Sequence, residues 1–431
     1  MAKLTRRPLQ SPITGEIEVP GDKSISHRAI MLGSLAKGTT VITNFLNGED
    51  CLRTVEAFRA LGVEIEQQGT TITIQSNGMN ELKEPTSPLY FGNSGTTARL
   101  MLGILSGLPF FTTIYGDPYL TQRPMDRVTN PLQKMGVTLD GRSEKRFLPI
   151  SIRGGNLTGI HYELPVKSAQ VKSAILLAGL FANGETTVVE KTKTRDHTEN
   201  LLTAFGADIK RTNNEITITN KQPLVATDVF VPGDISSAAF LLVAAAIVPN
   251  SELTIKKVGL NETRTGIIDV LQAMGASCEI TNVQRLNGEV YGDIHIRYQE
   301  LTGTTIAGDI IPRLIDELPI IALLATQAEG KTIIRDAEEL RVKETDRIAA
   351  VVDVLSTLGA NIEATKDGMI IQGKTPLTGG EISAYHDHRI AMMGVVASLI
   401  AKGPVTLDDD SSIAISYPTF FEDLSAISKT Y

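Results

Sequence analysis

Six apolar segments recur along the chain at nearly constant spacing, and each precedes a short run of β-branched residues. The segments are apolar on almost every side, which is typical of buried helices rather than surface helices. A glycine or small polar residue after each segment predicts the helix end, and the β-branched run predicts a strand. These positions are 38, 107, 184, 251, 330 and 403, and their separation of 67 to 79 residues indicates an internal repeat. The predicted buried helices are Ala29–Leu35, Ala98–Leu105, Ala174–Phe181, Ala238–Val248, Ile320–Thr326 and Ile390–Ile400.

A second class of helix, amphipathic instead of wholly apolar, ends at a glycine in five of the six repeats. The helical spacing of apolar positions is clearest in Arg53–Leu61 and Ile348–Leu358. The last repeat lacks this glycine and is predicted to end in a helix over Phe420–Lys429. Each repeat is therefore predicted to contain, in order, a strand, a buried helix, a strand, an amphipathic helix and two strands. The five helix ends are Leu61-Gly62-Val63, Met135-Gly136-Val137, Phe205-Gly206-Ala207, Met274-Gly275-Ala276 and Leu358-Gly359-Ala360.

One tetrapeptide divides the six repeats into two halves. Val19-Pro20-Gly21-Asp22 recurs as Val231-Pro232-Gly233-Asp234, at matching points of the series. A four-residue match alone would be an ordinary turn, but this placement favours a duplication of three repeats. Because each copy directly precedes a buried helix, we expect the chain to change lobe at both places.

Composition restricts the class of protein. A net charge of −8 argues against a general nucleic-acid-binding surface, although a local anion site is compatible with it. Cys51 and Cys278 are too few for a disulfide framework. The longest apolar run, Ala238–Val248, is shorter than the ~20 residues that span a bilayer, and residues 1–8 contain no apolar signal region. We therefore expect a soluble cytoplasmic protein with a large core and with no nucleic-acid or membrane partner.

The first residues of the buried helices are polar. Helix capping explains the side chains of Asp234 and Ser236. Cations near a helix N-terminus are locally unfavourable by a few tenths of a kcal/mol, unless an anion binds there. Their presence favours an anion site over surface decoration. These cations are Lys23, Arg28, Arg99 and Arg389.

Other charged or cofactor-like segments have ordinary explanations. Residues 341–347 contain Lys343 and Arg347 at i and i+4, which by spacing alone indicates a solvated start of an amphipathic helix, with Glu344 and Arg347 as an i, i+3 pair. His386-Asp387-His388 lacks an evident third metal ligand, so Asp387 is interpreted as a helix cap rather than a ligand. No nucleotide P-loop or dinucleotide glycine fingerprint is present.

Five motifs in this order are distinctive: Gly21-Asp22-Lys23-Ser24-Ile25-Ser26-His27-Arg28, Gly92-Asn93-Ser94-Gly95-Thr96, Gln122-Arg123-Pro124-Met125, Arg341-Val342-Lys343-Glu344-Thr345-Asp346-Arg347 and Asp387-His388-Arg389. With them the chain closely resembles the 5-enolpyruvylshikimate-3-phosphate synthases, also called 3-phosphoshikimate 1-carboxyvinyltransferases, over essentially its whole length. The resemblance implies an α/β (α+β) fold of two similar lobes, each of three βαβαββ repeats, with buried helices converging on the inter-lobe cleft. It implies one discontinuous lobe of residues 1–20 and 233–431, and a second lobe of residues 21–232.

The resemblance also implies a reaction and its catalytic residues. The enolpyruvyl group of phosphoenolpyruvate moves to the 5-hydroxyl group of shikimate 3-phosphate, through a tetrahedral addition–elimination intermediate, and phosphate is released. This step of the shikimate pathway of aromatic amino acid biosynthesis needs no cofactor and no metal. Asp316 resembles the carboxylate beside the acceptor hydroxyl, Glu344 resembles the proton donor to the methylene carbon, and Lys23 shares proton transfer. We expect a monomer.

Binding roles follow from the same motif match. The residues that resemble phosphoenolpyruvate ligands are Lys23, Asn93, Gly95, Arg123, Gln170, Arg347 and Arg389. The residues that resemble shikimate 3-phosphate ligands are Lys23, Ser24, Arg28, Ser168, Gln170, Arg195, Asp316 and Lys343. Gly95 is expected to leave room for glyphosate, the phosphoenolpyruvate-competitive inhibitor of the family.

Some positions depart from the best-known branch of the family. Ala169 stands within a run that is Ser-Ser-Gln in that branch, Glu339 replaces an Asn, and residues 411–417 lack a Lys. The related UDP-N-acetylglucosamine enolpyruvyltransferase has Lys-Asn in place of Lys23-Ser24 and uses a loop cysteine. A non-catalytic anion-binding relative would not need Lys23, Asp316 and Glu344 together.

Overall fold

The structure, a computed structural model, describes residues 3–9 and 11–428. Met1 and Ala2, the first residues of the N-terminal segment 1–8, lie outside the described residues, as does Lys429 at the end of the last predicted helix. The chain forms two compact units. Unit 1 comprises Met1–Pro20, Pro232–Arg285 and Val290–Tyr431, and unit 2 comprises Gly21–Val231 and Leu286–Glu289.

Helices alternate with strands throughout both units. The helices are α1 (Lys23–Leu35), α2 (Glu49–Ala60), α3 (Gly95–Gly107), α4 (Asp126–Lys134), α5 (Arg142–Lys145), α6 (Ala169–Gly179), α7 (His197–Ala204), α8 (Ile235–Ile247), α9 (Gly266–Ala273), α10 (Ile311–Leu314), α11 (Leu318–Thr326), α12 (Arg347–Thr357), α13 (His388–Ser398) and α14 (Phe420–Ser428). Short 3₁₀ helices cover Met79–Glu81, Leu120–Gln122, Gly308–Ile310, Glu338–Val342 and Ser411–Ile415.

The strands are short and lie between these helices. They are β1 (Leu4–Arg6), β2 (Thr14–Glu18), β3 (Lys37–Thr43), β4 (Glu64–Gln68), β5 (Thr71–Asn77), β6 (Leu89–Tyr90), β7 (Phe111–Tyr115), β8 (Thr138–Gly141), β9 (Ile150–Arg153), β10 (His161–Glu163), β11 (Thr186–Val189), β12 (Asp208–Thr212), β13 (Glu215–Thr219), β14 (Val229–Phe230), β15 (Glu252–Gly259), β16 (Ser277–Leu286), β17 (Glu289–Arg297), β18 (Thr305–Ile306), β19 (Gly330–Ile334), β20 (Asn361–Ala364), β21 (Met369–Gly373), β22 (Gly380–Ile382) and β23 (Val405–Leu407).

The described strands form one small sheet per repeat. Five sheets have four strands, as in the order β6-β7-β9-β8, and the sixth has three in the order β1-β23-β22. In the sheet of β6–β9, the first pair is parallel and the other two pairs are antiparallel. The βαβαββ repeat that the sequence predicts is thereby confirmed for the five four-stranded sheets, whereas the last repeat ends in α14 and its sheet takes β1 from the start of the chain.

In two sheets, the first strand comes from a part of the same unit that is distant in sequence. β14 (Val229–Phe230), near the end of unit 2, pairs in parallel with β3. β2 (Thr14–Glu18), near the chain start, pairs in parallel with β15. Each unit therefore closes its first repeat with a strand that lies far away in sequence.

The wholly apolar helices are buried, as their sequence pattern predicts. All thirteen residues of α8 are buried, and α11 is buried from Leu318 to Thr326. The two Val-Pro-Gly-Asp copies end in equivalent helix caps: Asp22 accepts a hydrogen bond from Ile25 N, and Asp234 accepts one from Ser236 N. These caps satisfy backbone N–H groups that a helix leaves unpaired at its start.

Glycine ends the amphipathic helices because of its backbone conformation. Gly62 and Gly359 follow α2 and α12, and both have φ of +88°. This left-handed region is accessible to glycine without a steric penalty from a Cβ atom. The predicted helix ends at these positions are confirmed.

The charge spacing of residues 341–347 predicts the start of a helix, but the structure shows that these residues do not form one. A 3₁₀ helix ends at Val342, and α12 begins only at Arg347, with Asp346 as its cap accepting from Ala349 N at 3.1 Å. Lys343 and Arg347 therefore do not share a helix face. The solvated interpretation is also wrong for Arg347, which is 1% exposed. A short polar side chain at Asp346 can cap a helix, and this local preference overrides the charge spacing.

None of the helices between residues 3 and 428 is both long and apolar enough to cross a bilayer. Within the described residues, each unit has its own hydrophobic core, built around its three buried helices. α1, α3 and α6 supply the core of unit 2, and α8, α11 and α13 that of unit 1. Some of the predicted ligands lie at the start of these buried helices, such as Lys23 on α1 and Arg389 on α13.

Candidate active site

Arg28 on α1 is the most deeply buried cation among the predicted ligands of unit 2. Its Nε donates to Thr198 Oγ1 at 2.6 Å, one Nη donates to Ser173 Oγ at 2.9 Å, and the other to the Ser24 carbonyl at 2.9 Å. It forms no ion pair within the described part of the chain. Burial lowers the pKa of Arg28 to about 10, although the charge of Glu199 acts in the opposite direction. A buried guanidinium held by hydroxyl groups favours binding of an anion.

Lys23, the first residue of α1, lies beside a carboxylate. Its Nζ is 3.2 Å from Asp50 Oδ2, and both side chains are mostly buried. Asp50 lies in the first turn of α2, where a negative charge is favourable. The pair holds the Lys23 ammonium at the N-terminal end of α1, close in sequence to Ser24 and Arg28.

The start of α3 brings several predicted ligands together. Arg123 donates to Asn93 Oδ1 at 2.7 Å. A Cβ atom on Gly95 would lie 2.8 Å from one Nη of Arg99 and 3.2 Å from one Nη of Arg123, so both guanidinium groups approach the glycine closely. Gln170 accepts from Arg99 at 2.9 Å, which joins the start of α6 to this group.

Ser168 and Arg195 lie on two further segments of unit 2. Ser168 caps α6, and its Oγ accepts from Val171 N at 3.4 Å. Arg195 precedes α7, and its positive charge contributes to the lowered pKa of Arg28. We call the residues of this unit the cationic cluster: Lys23, Ser24, Arg28, Asn93, Gly95, Arg99, Arg123, Ser168, Gln170 and Arg195.

Unit 1 surrounds Arg347 with three carboxylates. Its Nε donates to Asp387 Oδ2 at 2.8 Å, one Nη lies 3.3 Å from Asp316 Oδ1, and the other donates to Glu344 Oε2 at 2.6 Å. Burial acts to lower the pKa of Arg347, but the charges of Asp387, Glu344 and Asp316 together raise it above its ordinary value. The i, i+3 pair of Glu344 and Arg347 that the sequence predicts is present.

Asp316 is a common neighbour of three cations. Lys343 Nζ lies 3.5 Å from its Oδ1, and Arg389 lies 4.0 Å from its Oδ2 while donating to its backbone carbonyl at 3.1 Å. Arg347 supplies the third contact. We call this group the mixed cluster of unit 1: Asp316, Lys343, Glu344, Arg347, Asp387 and Arg389.

Asp387 serves as a helix cap, as its sequence position predicts. Its Oδ1 accepts from Arg389 N at 2.9 Å, and its side chain is completely buried. Among residues 3–9 and 11–428, no three His, Cys, Asp or Glu side chains are arranged to hold a metal ion.

The sequence predicts no ligand role for several residues in or beside these clusters. Arg99 is identified from the sequence only as a cation near a helix start, and no sequence motif contains Asp50, Ser173 or Thr198. Ser173 and Thr198 contact Arg28 from another repeat of unit 2, and Asp50 contacts Lys23 from the second helix of the same repeat, so no short motif contains both partners. The sequence signal that could identify such residues is a high density of Ser and Thr on segments that pack against a buried helix bearing cationic residues.

Comparison with solved structures first identifies the fold. The enolpyruvyl transferase NikO from Streptomyces tendae superposes with a TM-score of 0.81 at 18% identity, covering 99% of this chain and 97% of that chain. This likeness shows the fold alone. The chain therefore has the fold of an enolpyruvyl transferase.

Sequence comparisons then identify the family. The family model described as EPSP synthase (3-phosphoshikimate 1-carboxyvinyltransferase) matches residues 9–424. A 3-phosphoshikimate 1-carboxyvinyltransferase of Oceanobacillus iheyensis is 56% identical over 429 residues, covering 100% of both chains. An EPSP synthase structure from Acinetobacter baumannii superposes with a TM-score of 0.89 at 46% identity, covering 99% of this chain and 98% of that chain. The chain belongs to the EPSP synthase family.

Proposed function

We propose that this chain transfers the enolpyruvyl group of phosphoenolpyruvate to the 5-hydroxyl group of shikimate 3-phosphate and releases phosphate. Membership of the family and full-length relatives named for this activity support the proposal. One observation in the structure carries it furthest. The carboxylates of Asp316 and Glu344 contact the two Nη atoms of a single guanidinium, that of Arg347, at 3.3 and 2.6 Å.

This pair of carboxylates suits the chemistry of the transfer. The methylene carbon of phosphoenolpyruvate must gain a proton, which makes C2 electrophilic, and the attacking hydroxyl must lose one. In our proposal Glu344 donates the first proton and Asp316 accepts the second, while Lys23 shares proton transfer. The resulting tetrahedral intermediate then loses phosphate and a proton of the methyl group, which restores the carbon–carbon double bond and leaves an enol ether as the product. Two carboxylates in distinct surroundings can serve as acid and base in the same cycle.

Phosphoenolpyruvate bears a phosphate and a carboxylate, so its site requires several cations. We assign it to Lys23, Asn93, Gly95, Arg123, Gln170, Arg347 and Arg389. Arg123 supports this assignment because Asn93 orients its guanidinium at 2.7 Å. Guanidinium groups suit such a ligand because they bind carboxylate and phosphate with two parallel hydrogen bonds.

Shikimate 3-phosphate needs anion ligands and partners for its ring hydroxyls. We assign it to Lys23, Ser24, Arg28, Ser168, Gln170, Arg195, Asp316 and Lys343. The buried guanidinium of Arg28 supports the assignment, because three of its N–H groups are used by neighbours and two remain for a ligand. Lys343 supports the assignment because its ammonium group lies 3.5 Å from Asp316, the proton acceptor of this proposal.

The proposal extends to the state and place of the protein. We propose a cytoplasmic monomer that needs neither cofactor nor metal. Light scattering after gel filtration tests the oligomeric state, because a monomer would have a mass of 46.5 kDa. Dialysis against a chelator tests whether a metal is needed, and we expect activity to survive it.

Phosphate release decides the reaction itself. The purified protein should release phosphate only when both phosphoenolpyruvate and shikimate 3-phosphate are present, with one enol ether product formed per phosphate. Omission of either substrate is the control. Absence of release with both substrates would contradict the proposal.

Replacing the acceptor separates the proposal from its alternatives. UDP-N-acetylglucosamine in place of shikimate 3-phosphate should give no release. If it supports release and shikimate 3-phosphate does not, the chain is the related sugar-nucleotide enzyme. Binding of both substrates without turnover would instead indicate a non-catalytic relative.

A further inference from the structure

Lys172 on α6 is completely buried and lies between two carboxylates. Its Nζ is 2.9 Å from Glu190 Oε2 and 2.7 Å from Glu199 Oε1, and the exposed fractions of the three side chains are 0%, 6% and 2%. We call these residues the buried triad. Such a cluster is rarely a source of stability, because desolvation of the charges offsets their attraction. Its presence therefore calls for another explanation.

The buried triad joins α6 and α7 next to a second contact. Lys172 pairs with Glu199, and the adjacent residues Ser173 and Thr198 share a hydrogen bond of 2.6 Å between their hydroxyl oxygens. Two successive residues of each helix segment are thus matched across the same interface. The ion pair fixes the rotation of α7 against α6, and the rotation sets where the two hydroxyls lie.

These two hydroxyls are the groups that hold Arg28. Arg28 Nε donates to Thr198 Oγ1 at 2.6 Å, and an Nη donates to Ser173 Oγ at 2.9 Å. Because the guanidinium is planar, two fixed acceptors determine the direction of its remaining N–H groups. A shift of the hydroxyls would therefore redirect Arg28.

Glu190 extends the same control to the segment before α7. Its Oε1 accepts from Thr194 N at 3.1 Å and also from the Thr194 hydroxyl. Lys172 Nζ donates to the Thr194 carbonyl at 3.5 Å. Thr194 directly precedes Arg195, so the buried triad also determines the backbone from which Arg195 projects.

We propose that Lys172, Glu190 and Glu199 are positioning residues that orient Arg28 and Arg195 toward the anionic groups of shikimate 3-phosphate. This inference rests on the proposed function, since it names the acceptor substrate as the ligand. The three side chains act through Ser173, Thr198 and Thr194. The triad should therefore control affinity for shikimate 3-phosphate and not affinity for phosphoenolpyruvate.

A variant that conserves shape but removes charge can separate positioning from charge. Glu199→Gln keeps the shape of the side chain and should raise the Kd of shikimate 3-phosphate about tenfold or more, in the range that small misplacements of binding groups cause. The KM of phosphoenolpyruvate at saturating shikimate 3-phosphate should change less than twofold. Removing a negative charge beside Arg28 should on electrostatic grounds strengthen anion binding. Tighter binding in Glu199→Gln would therefore overturn the positioning role.

A neutral triad separates positioning from stability. Lys172→Met alone leaves two buried carboxylates without a cation and is expected to unfold readily. The triple variant K172M/E190Q/E199Q has no buried charge in the triad and should unfold near the parent temperature, yet bind shikimate 3-phosphate at least tenfold more weakly. Parent-like binding in this variant would overturn the inference. Lys191→Met, which removes an exposed lysine next to Glu190, is the matched control and should bind like the parent.

The parent protein distinguishes the two possible failures. Isothermal titration of the parent with shikimate 3-phosphate, and its phosphate release with both substrates, test the proposed function. If the parent neither binds nor reacts, the proposed function fails and the inference fails with it. If the parent binds and all triad variants bind equally well, only the positioning role is wrong.

Discussion

Arg28 Nε donates a 2.6 Å hydrogen bond to Thr198 Oγ1, so a hydroxyl group and not a carboxylate holds this buried cation. Arg347 in unit 1 has the opposite arrangement, with three carboxylates around its guanidinium. The pKa values reflect the difference: burial lowers the pKa of Arg28 to about 10, while the carboxylates raise that of Arg347. An anionic ligand would therefore stabilise the charge of Arg28 more than that of Arg347.

Arg28→Met should separate ligand binding from folding. Met removes a buried charge, whose burial is unfavourable, together with its three hydrogen bonds, which are favourable, so the two effects oppose each other. We therefore expect the ligand-free variant to unfold within a few degrees of the parent. Shikimate 3-phosphate at a hundred times its Kd should stabilise the parent by about 2.7 kcal/mol and the variant hardly at all.

Thermal unfolding with and without the ligand measures this effect. Arg153→Met, at an exposed position of the same unit, is the control, and the ligand should raise its unfolding temperature as much as that of the parent. A variant at Arg28 that keeps the parent's shift would remove this residue from the binding site.

The repeats could be predicted because their signals are local. A wholly apolar segment such as Ala238–Val248 followed by a β-branched run needs no distant partner to be recognised, and α8 is buried as expected. Residues 341–347 could not be predicted in the same way. Their charge spacing fits a helix, whereas the cap formed by Asp346 delays α12 until Arg347.

The same distinction between local and distant signals applies to the candidate site. Motifs such as that of Lys23 to Arg28 identify ligands because one segment contains them. The partners that orient those ligands, Thr198 for Arg28 and Asp387 for Arg347, are 170 and 40 residues away in sequence. Only the packing of different repeats brings them together, so spacing along one chain does not reveal them.

Glu344→Gln should lower turnover far more than substrate binding. The amide keeps the size of the side chain and an oxygen for Arg347, but it cannot donate an acid proton to the methylene carbon. Loss of a general acid typically costs about 10²- to 10⁴-fold in rate. We expect kcat to fall in that range while both KM values stay within about threefold, a pattern typical of a lost transition-state interaction.

Steady-state kinetics with each substrate varied in turn measure this split. Glu338→Gln, at an exposed position of the neighbouring 3₁₀ helix, is the matched control and should leave kcat unchanged. An unchanged rate in Glu344→Gln would exclude this residue from acid–base catalysis.

Gly95→Ala should weaken the binding of glyphosate more than it weakens the binding of phosphoenolpyruvate. The added methyl group would lie 2.8 Å from Arg99 Nη1 and 3.2 Å from Arg123 Nη1. Both contacts are with ends of flexible side chains, so the protein should fold and the guanidinium groups should shift by a few tenths of an ångström. A methyl group in a tight site commonly changes affinity about tenfold or more.

Inhibition constants for glyphosate, measured against phosphoenolpyruvate, give the result. We expect the constant to rise at least tenfold and the KM of phosphoenolpyruvate by a smaller factor, with that of shikimate 3-phosphate unchanged. Equal inhibition of both proteins would show that Gly95 does not border the inhibitor.

Thiol alkylation should leave activity intact. Cys51 and Cys278 are both buried, and burial raises the pKa of the Cys278 thiol to about 11. The thiolate is the reactive form, so iodoacetamide labelling of Cys278 at pH 8 should be slow and should rise about tenfold per pH unit up to pH 10. Mass spectrometry follows the labelling, with Cys278→Ser to identify the site. Activity lost in step with labelling of Cys51 would indicate a functional thiol and favour the cysteine-dependent relative.

Acid should destabilise the protein through His27, a motif residue to which no ligand role is assigned. His27 Nδ1 lies 2.7 Å from Thr54 Oγ1, and hydrogen bonds continue to Thr97 at 2.8 Å and to Ser94, the cap of α3, at 2.7 Å. Burial lowers the pKa of His27 well below 6.5, and the charge of Lys23 lowers it further. The folded protein therefore holds a neutral imidazole inside a chain of hydroxyl groups that ends beside Gly95.

The sign of the pH dependence follows from proton binding. Below pH 6.5 the unfolded chain binds a proton at His27 that the folded chain does not, so stability falls as pH falls. Between pH 7 and pH 5 the parent should lose stability relative to His27→Gln, whose amide does not titrate, by at most about 2 kcal/mol. Urea unfolding of both proteins at pH 7, 6 and 5 measures the difference. Parallel profiles would mean that His27 takes up its proton in the folded state. In that case the hydroxyl chain from Thr54 to Ser94 would not depend on a neutral imidazole.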